Sequence, residues 1–213
     1  MRICVDGNIG SGKTGCLRAL ERALPGVPCL PEPLEEWGPD LDLFYANQPK
    51  WALHMSLRVL QSFAELGRLP TCIVERGPLA CRYVFGQVLR NRGVMSCQAW
   101  DLLKEYHDAL GWEPDVMFFV KTPADVCMDR VRRRGRECER DIDAEYLHDL
   151  DYQYGNMLRF LKVPVVEFDG TLAPAELHAA VVAKARELLG AGVSGGAAAD
   201  GEIEVSGGTR GPP

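Results

Sequence analysis

The chain has 213 residues, 46% hydrophobic and 25% charged, so its apolar content is sufficient for one domain with a sizeable core. Its formal net charge of -6 argues against a protein that wraps nucleic acid, because such proteins carry a basic surplus. No apolar run is long enough to span a membrane and no targeting segment is evident, so we expect a cytoplasmic protein without a membrane partner.

The eight cysteines form neither a C-x-x-C pair nor a metal-ligand spacing, and most of them lie in apolar runs. This distribution predicts reduced, mostly buried cysteines rather than a disulfide framework.

The first chemical motif, Gly-Asn-Ile-Gly-Ser-Gly-Lys-Thr, is a complete G-x-x-x-x-G-K-[ST] pattern. It lies between a strand-like run at 2–6 and helical spacing at 15–24, which is the context of a phosphate-binding loop. Lys13 is expected to reach the β- and γ-phosphates of ATP, and the Thr14 hydroxyl to contact Mg²⁺. The alternative is a glycine-rich turn with an accidental lysine. The predicted ATP-binding residues of the loop are Gly7, Asn8, Ile9, Gly10, Ser11, Gly12, Lys13 and Thr14.

A brief strand at Cys29 and Leu30 leads into Glu32-Pro-Leu-Glu-Glu-Trp37. A carboxylate there lies at a carboxyl end of the sheet, where open α/β folds bind ligands. Trp37 could form a wall for a flat substrate. The alternative for this stretch is an acidic turn on the surface.

Residues 41–67 have mainly helical spacing that ends at Gly67, and 72–74 form a buried-type strand. Glu75 and Arg76 follow directly at the end of this strand. They form either a structural ion pair or a contact to a metal or hydroxyl group at the edge of the phosphate loop.

An amphipathic helix is predicted over 96–110 with Ser96 as its N-cap, and His107 is interpreted as a structural histidine of that helix. Residues 115–120 are apolar almost throughout, as expected for a strand that is covered on both faces. A helix that begins near Ala124 runs into an arginine cluster at 130–140. That cluster could bind nucleic acid, act as a localisation signal or form a solvated face. In an acidic phosphate-binding protein, we favour arginines that close over a transferring phosphoryl group.

The remaining elements are predicted as a helix at 143–161, a strand at 164–168 and a helix at 173–189 that ends at Gly190. The alternation predicts an α/β domain over 1–190, with about five strands in a mostly parallel sheet and helices on both faces. Residues 191–213 are rich in Gly, Ala and Ser and are predicted to be disordered.

Taken together, four motifs in this order resemble the deoxyribonucleoside kinase family over roughly residues 2 to 189. Within that family, the chain resembles the cellular and insect deoxynucleoside kinases most, and the herpesvirus-type thymidine kinases more distantly. The motifs are the loop at 7–14, E-P-x-x-x-W at 32–37, Glu75-Arg76 with R-Y-x-F at 82–85, and an arginine-rich stretch at 130–139. The resemblance implies a P-loop kinase fold with an arginine-rich lid, and a homodimer.

The resemblance also implies residue roles near the acceptor hydroxyl. Glu32 would contact the nucleoside 5′-hydroxyl as general base, and Arg76 would contact that hydroxyl and Glu32. Trp37 would line the pocket, Phe85 would stack on the nucleobase, and Glu75 would help to hold Mg²⁺ with Thr14.

Further positions match the family's lid and sugar site. Arg130, Arg134 and Arg136 would belong to the lid, where Arg130 and Arg134 contact ATP. Tyr45 and Glu139 would hold the sugar 3′-hydroxyl, which is how such a site prefers deoxyribose.

Base recognition departs from the family pattern. Counted from Trp51, Ser56 stands where a base-reading glutamine is expected. The segment up to Glu75 is shorter than in close relatives of the family. Placing the resulting alignment gap within the helix, so that Leu60-Gln61-Ser62 aligns, still puts no glutamine at that position. Cys81 stands where cytidine-preferring enzymes carry aspartate and thymidine-accepting ones carry a small neutral residue. We therefore expect a pyrimidine, with thymidine favoured.

The resulting hypothesis is an ATP- and Mg²⁺-dependent deoxynucleoside kinase of nucleotide salvage, which transfers the γ-phosphate to a deoxyribonucleoside 5′-hydroxyl. Its predicted catalytic residues are Lys13, Glu32, Arg76, Arg134 and Arg136. The alternatives are a nucleoside-monophosphate kinase and a non-catalytic nucleotide-binding regulator of the same fold.

Overall fold

The computed structural model describes residues 1–136, 139–140 and 142–193. The strands are β1 (Arg2–Asp6), β2 (Cys29–Leu30), β3 (Cys72–Glu75), β4 (Val116–Lys121) and β5 (Val165–Asp169). The helices are α1 (Lys13–Ala23), α2 (Leu34–Ala46), α3 (Gln48–Ala64), α4 (Pro78–Ala80), α5 (Gln87–Asn91), α6 (Cys97–Leu110), α7 (Ala124–Arg134), α8 (Ala144–Phe160) and α9 (Pro174–Val193). A 3₁₀ turn, Leu66–Arg68, follows α3, and a π-helical segment, Cys81–Gly86, joins α4 to α5.

All five strands are parallel and lie in the order β2-β3-β1-β4-β5. The phosphate loop follows β1, the central strand, and Val5 of β1 lies between Glu75 of β3 and Phe118 of β4. The carboxyl ends of β1, β2 and β3 therefore meet at one edge, which is where ligands bind in open α/β sheets. The predicted five-stranded parallel sheet is confirmed.

Helices cover both faces of the sheet. On β4, Met117 and Phe119 pack with α7 and α8, whereas Phe118 and Val120 pack with α1 and α9. Both sets of side chains are buried, and this explains why the strand is apolar throughout instead of alternating.

A third apolar cluster lies beyond the sheet edge and joins α2, α3 and α6 around Trp37, Phe44, Phe63 and Leu103. The single helical stretch predicted over 41–67 is wrong in detail, since two helices meet at Asn47. The Asn47 side chain accepts a hydrogen bond from the Lys50 backbone N–H at 3.2 Å, which begins α3 with an N-cap. Side chains of α2 and α3 form one wall of the cleft above the strand ends.

The segment between β3 and α6 is helical, which the sequence patterns did not predict. Its π-helical part sits against α6, where a Cβ on Gly86 would lie 2.8 Å from the Leu103 side chain. A glycine is therefore needed for this close approach. The wider turn directs Cys81 and Phe85 into the same cleft, in keeping with the frequent use of π-helical turns at functional sites.

At the C-terminal end, α9 continues to Val193 and does not end at Gly190 as predicted. The predicted disordered tail lies outside the described residues from 194 onward. The predicted N-cap of α6 is confirmed, because Ser96 accepts a hydrogen bond from the Ala99 backbone N–H at 3.1 Å. Within the part of the chain that the structure describes, no helix combines the length and apolar character needed to cross a membrane.

Candidate active site

The phosphate loop depends on glycines in the left-handed region of backbone space. Gly7, Gly10 and Gly12 have φ values of 145°, 82° and 111°. A Cβ on Gly7 would lie 2.5 Å from the Val120 carbonyl oxygen, and one on Gly10 would lie 2.6 Å from that of Cys127. The loop is thus wedged between β4 and α7, so any larger side chain at Gly7 or Gly10 would clash with backbone.

Lys13 is buried at the start of α1. Its Nζ donates to the Asn8 carbonyl oxygen at 2.8 Å, and the Asn8 side chain donates to the Leu147 carbonyl oxygen at 2.9 Å. Burial and the nearby Arg76 guanidinium lower the pKa of Lys13, although neighbouring carboxylates oppose this. Loop, lysine and α8 are therefore joined by hydrogen bonds.

Thr14 and Glu75 meet at the ends of neighbouring elements, with the Thr14 hydroxyl donating to Glu75 Oε1 at 2.7 Å. Burial raises the pKa of Glu75, and Glu32 adds to this, while Lys13 opposes it. Across the described residues, no group of three or more His, Cys, Asp or Glu side chains could hold a metal unaided. A hydroxyl beside one carboxylate fits Mg²⁺, which typically takes one or two carboxylates and completes its shell with phosphate and water oxygens.

Arg76 connects the strand ends. Its Nε donates to Glu32 Oε1 at 2.6 Å, and its Nη1 donates to the Tyr154 hydroxyl at 2.6 Å. The guanidinium carbon lies 4.6 Å from the centroid of the Phe85 ring. Burial disfavours the charged form, but Glu32, Tyr154 and Asp6 together raise the pKa of Arg76 well above its ordinary value. Arg76 is therefore a permanent buried cation beside Glu32.

Asp6 and Tyr154 extend this network behind the loop. The Tyr154 hydroxyl donates to Asp6 Oδ1 at 2.8 Å, and the Gly7 backbone N–H donates to the same oxygen at 2.7 Å. Asp6 Oδ2 is buried and has no hydrogen-bond partner among the described residues. Burial raises the pKa of Asp6, while Arg76 and Lys13 oppose the rise.

A cavity of about 320 Å³ lies over these strand ends. This is within the size range of small-molecule sites. Most of the predicted site residues line it: Ile9, Gly10, Gly12, Lys13, Thr14, Glu32, Trp37, Tyr45, Ser56, Glu75, Arg76, Cys81, Phe85, Arg130, Arg134, Arg136 and Glu139. The other three predicted residues, Gly7, Asn8 and Ser11, are not part of its lining. Residues far apart in the sequence, from the phosphate loop to the arginine-rich stretch, therefore converge on one cavity.

The far end of the cavity is enclosed by apolar and aromatic side chains. Trp37 and Phe44 are both buried, and Tyr45 and Phe85 lie partly exposed beside them. At this end, the Cys81 thiol donates to the Ser56 carbonyl oxygen at 3.3 Å. Burial raises the pKa of Cys81 to about 12, so the thiol is neutral and unreactive.

Three arginines, Arg130, Arg134 and Arg136, also line the cavity. Arg130 Nη1 donates to the Ser11 carbonyl oxygen at 3.1 Å and Nη2 to that of Gly170 at 2.8 Å. Arg134 donates to both carboxylate oxygens of Glu139, at 2.5 and 3.1 Å, and Arg136 donates to Glu139 at 3.4 Å. Residues 137 and 138 of the predicted lid lie outside the described residues, and the lid stays a prediction.

Comparison with known proteins places the chain in a family. A family model for deoxynucleoside kinase matches residues 3–187. The chain belongs to the deoxynucleoside kinase family. Among its relatives, thymidine kinase 2, mitochondrial, of Macaca fascicularis is 31% identical over 174 residues, which cover 73% of this chain and 63% of that protein. Deoxycytidine kinase of Mus musculus is 25% identical over 240 residues, covering 88% and 90%.

The fold of this deoxynucleoside kinase family member also matches a solved structure. Deoxyadenosine kinase from M. mycoides, determined with dCMP and a flexible dCDP bound, has a TM-score of 0.79 and 20% sequence identity. The match covers 88% of this chain and 100% of that one. At this identity, the likeness establishes the shared fold.

Several residues that line the cavity were not predicted. Those contributed by helices and by the segment after the predicted lid are Gly15, Leu34, Leu41, Phe44, Met55, Val59, Leu89, Ile142 and Tyr146. Helical periodicity marks such residues as apolar, but it does not tell whether they face the core or a ligand. Asp6 was also missed, although a carboxylate directly before the phosphate loop was a readable signal. Nothing in the sequence marks Tyr154.

Proposed function

We propose that this protein transfers the γ-phosphate of ATP to the 5′-hydroxyl of a deoxyribonucleoside in nucleotide salvage. The observation that carries the proposal is the Glu32–Arg76 contact of 2.6 Å in the same cavity as Lys13, Thr14 and Glu75. A carboxylate and a cation at that point suit a neutral hydroxyl acceptor, and the phosphate loop beside them suits the donor.

In the proposed reaction, the 5′-oxygen forms a bond to the γ-phosphorus while the bond from that phosphorus to the β–γ bridging oxygen breaks, which releases ADP. The proton of the 5′-hydroxyl passes to the Glu32 carboxylate. Because the transition state is loose, positioning and charge neutralisation supply most of the catalysis. Lys13 and the arginines Arg134 and Arg136 would provide positive charge around the transferred group.

Thr14 and Glu75 are the residues that would hold Mg²⁺. When bound, Mg²⁺ would neutralise charge on the β- and γ-phosphates. Arg130 would contribute to ATP binding from α7, where its two hydrogen bonds to backbone carbonyl oxygens already fix its guanidinium beside the loop.

Tyr45 and Glu139 are proposed to hold the sugar 3′-hydroxyl. Glu139 forms ion pairs with Arg134 and Arg136, so the carboxylate and the arginines share one set of contacts. ATP phosphates that attract the arginines would release Glu139 oxygens for the sugar. Both substrates would then favour the same rearrangement.

For the base, we propose recognition by shape, with pyrimidines accepted and thymidine favoured. None of the described residues that line the cavity is an asparagine or glutamine, so a bidentate amide contact is not available there. Ser56 and Cys81 are small, and Trp37 and Phe85 present flat surfaces to a base. Relatives named for thymidine and for deoxycytidine support the class of substrate and leave the base to experiment.

The remaining parts of the proposal, a homodimer and a cytoplasmic location, rest on the family resemblance and on composition. Sedimentation of the purified protein would test the dimer, and a fluorescent fusion in cells would test the location.

The experiment that tests the proposal is phosphorylation of thymidine, deoxycytidine, deoxyadenosine and deoxyguanosine with Mg-ATP, with thymidine monophosphate as a control acceptor. We expect one or more nucleosides to be phosphorylated, thymidine first, and the monophosphate to remain unchanged. Phosphorylation of the monophosphate alone would indicate a nucleoside-monophosphate kinase. ATP binding without transfer to any acceptor would indicate a regulator.

A further inference from the structure

A continuous chain of hydrogen bonds runs behind the cavity from the phosphate loop to Glu32. The Gly7 backbone N–H and the Tyr154 hydroxyl both donate to Asp6 Oδ1, at 2.7 and 2.8 Å. Arg76 donates to the Tyr154 oxygen at 2.6 Å and to Glu32 at 2.6 Å. The first glycine of the loop and the proposed base are thus joined through three side chains.

The three linking side chains are almost completely enclosed. Asp6 is 0% exposed, Tyr154 1% and Arg76 4%. Water therefore cannot replace a lost contact without a rearrangement, and each hydrogen bond fixes its partner more firmly than it would on a surface. Neither Asp6 nor Tyr154 lines the cavity, so they can act on substrates only through other residues.

Arg76 is also held in an unusual backbone conformation. Its φ of 64° is the only positive value among the described non-glycine residues. Such strain persists only where surrounding contacts over-determine it. Here the Arg76 backbone N–H donates to the Val5 carbonyl oxygen at 2.9 Å and the side chain is gripped by Tyr154 and Glu32.

We propose that Tyr154 and Asp6 are positioning residues that set the Arg76 guanidinium, and through it Glu32, at a fixed place relative to the phosphate loop. This inference rests on the proposed function. The acceptor hydroxyl is bound at Glu32 and the donor phosphate at the loop, so the chain of hydrogen bonds sets the distance between the two reacting groups.

The Tyr154 hydroxyl bridges two buried charged groups, Arg76 and Asp6. It separates Arg76 Nη1 from Asp6 Oδ1, which lie 3.8 Å apart. Without it, the buried cation and the buried carboxylate attract each other directly, because opposite charges interact strongly where water is excluded. Arg76 then moves towards Asp6 and away from Glu32. A displacement on the order of 1 Å at a reacting group can cost about 100-fold in rate.

The test is Tyr154→Phe, which removes only the hydroxyl. We expect kcat to fall about 10- to 100-fold while the KM values for ATP and nucleoside stay within about threefold, because the cavity lining is unchanged. Tyr152→Phe is the matched control, since Tyr152 lies on the same helix and is 67% exposed. It should retain wild-type kinetics. A kcat for Tyr154→Phe within twofold of wild type, or a loss confined to KM, would overturn the proposal.

A second pair of variants, at Asp6, tests the same positioning role if Tyr154→Phe folds poorly. Asp6→Asn retains an oxygen that can accept from Gly7 and Tyr154, whereas Asp6→Ala removes it. We expect Asp6→Asn to recover most of the kcat that Asp6→Ala loses, with thermal unfolding recorded for both. Equal losses in the two variants would contradict the positioning role.

The same assays separate this inference from the proposed function. If Glu32→Gln impairs kcat and Tyr154→Phe does not, only the positioning role fails. If both variants have wild-type kcat, the base role in the proposed function fails as well.

Discussion

Two regions of the cavity are built in different ways. The phosphate region, Lys13, Thr14, Glu32, Glu75 and Arg76, consists of charged and polar side chains at strand ends and at the start of α1, each held by a hydrogen bond of 2.6–2.8 Å. The nucleoside region, Trp37, Phe44, Ser56, Cys81 and Phe85, comes from helices and is mainly apolar.

In the proposed reaction, the phosphate region carries out phosphoryl transfer and the nucleoside region selects the base. Parallel strands end at fixed positions, so they can place charges to within the tolerance that phosphoryl transfer requires. Helices that pack through apolar faces accept changes of side-chain volume more easily, because volume and patterning rather than directed contacts hold them together. Substitutions in the phosphate region should therefore slow all substrates alike, whereas substitutions in the nucleoside region should change their ranking.

The largest effect is expected for Glu32→Gln. The amide keeps the shape of the side chain but cannot accept the 5′-hydroxyl proton, so kcat should fall by about 10²- to 10⁴-fold for every nucleoside. Calorimetry should give a nucleoside Kd within a few-fold of wild type. Glu36→Gln, an exposed position on α2, is the control and should be unchanged. Unequal losses across the four nucleosides would break the division between the two regions.

A smaller effect, on ranking, is expected for Cys81→Ala. Removing the sulfur from the buried end of the cavity makes room for a larger base. The ratio of kcat/KM for purine to pyrimidine deoxynucleosides should rise about tenfold, the scale of one heavy atom in a tight pocket. Cys97→Ala, at an exposed cysteine, serves as the control. An unchanged ratio together with a uniform loss of kcat would show that Cys81 affects phosphoryl transfer and not the choice of base.

The stability of the fold around α6, which packs behind the nucleoside region, should depend on pH through His107. Burial and the Arg82 guanidinium lower the pKa of His107, which packs against Tyr83 at 5.6 Å between ring centroids. Below the ordinary histidine pKa of about 6.5, the unfolded chain takes up a proton that the folded chain does not. The free energy of unfolding should therefore fall as pH falls.

His107→Gln removes this titration. Between pH 7.5 and 5.5, the variant should lose less stability than wild type in urea unfolding. If the two proteins lose stability in parallel, His107 is not the group responsible.

The smallest effect is expected on α8, which carries Tyr154 behind the phosphate region. Gly155 is exposed in the helix, and a Cβ there would meet nothing within 4 Å. Gly155→Ala should raise the free energy of unfolding by about 0.5–1 kcal/mol, because alanine is the better helix former. The kinetic constants should remain unchanged. A decrease in stability would show that the helix needs the glycine at this position.

The central strands β1, β3 and β4 were predictable because burial on both faces makes them continuous apolar runs. Even the two-residue β2 was identified at Cys29 and Leu30, since prolines bound it. The break at Asn47 was missed because the apolar spacing continues across it. The helix after β3 was missed because its π-helical turn does not follow the 3.6-residue period.

The candidate site shows the same limit. Motif residues such as Glu32 and Arg76 were identified because local patterns carry them, and the structure places them in contact. The Tyr154–Asp6 bond joins residues 148 positions apart, and the Cys81–Ser56 contact joins two helical segments. Neither residue pair has a local pattern, so only the packed fold reveals them. His107 was interpreted as a satisfied structural residue, yet its buried Nε2 has no hydrogen-bond partner among the described residues.

The most direct measurement is phosphorus NMR of the product that forms from Mg-ATP and thymidine. Holding the 5′-hydroxyl at Glu32 beside the phosphate loop predicts a single 5′-monophosphate, in one-to-one amount with ADP. Phosphate on the 3′-hydroxyl, or free phosphate released without transfer, would contradict the placement of the acceptor between Glu32 and the loop.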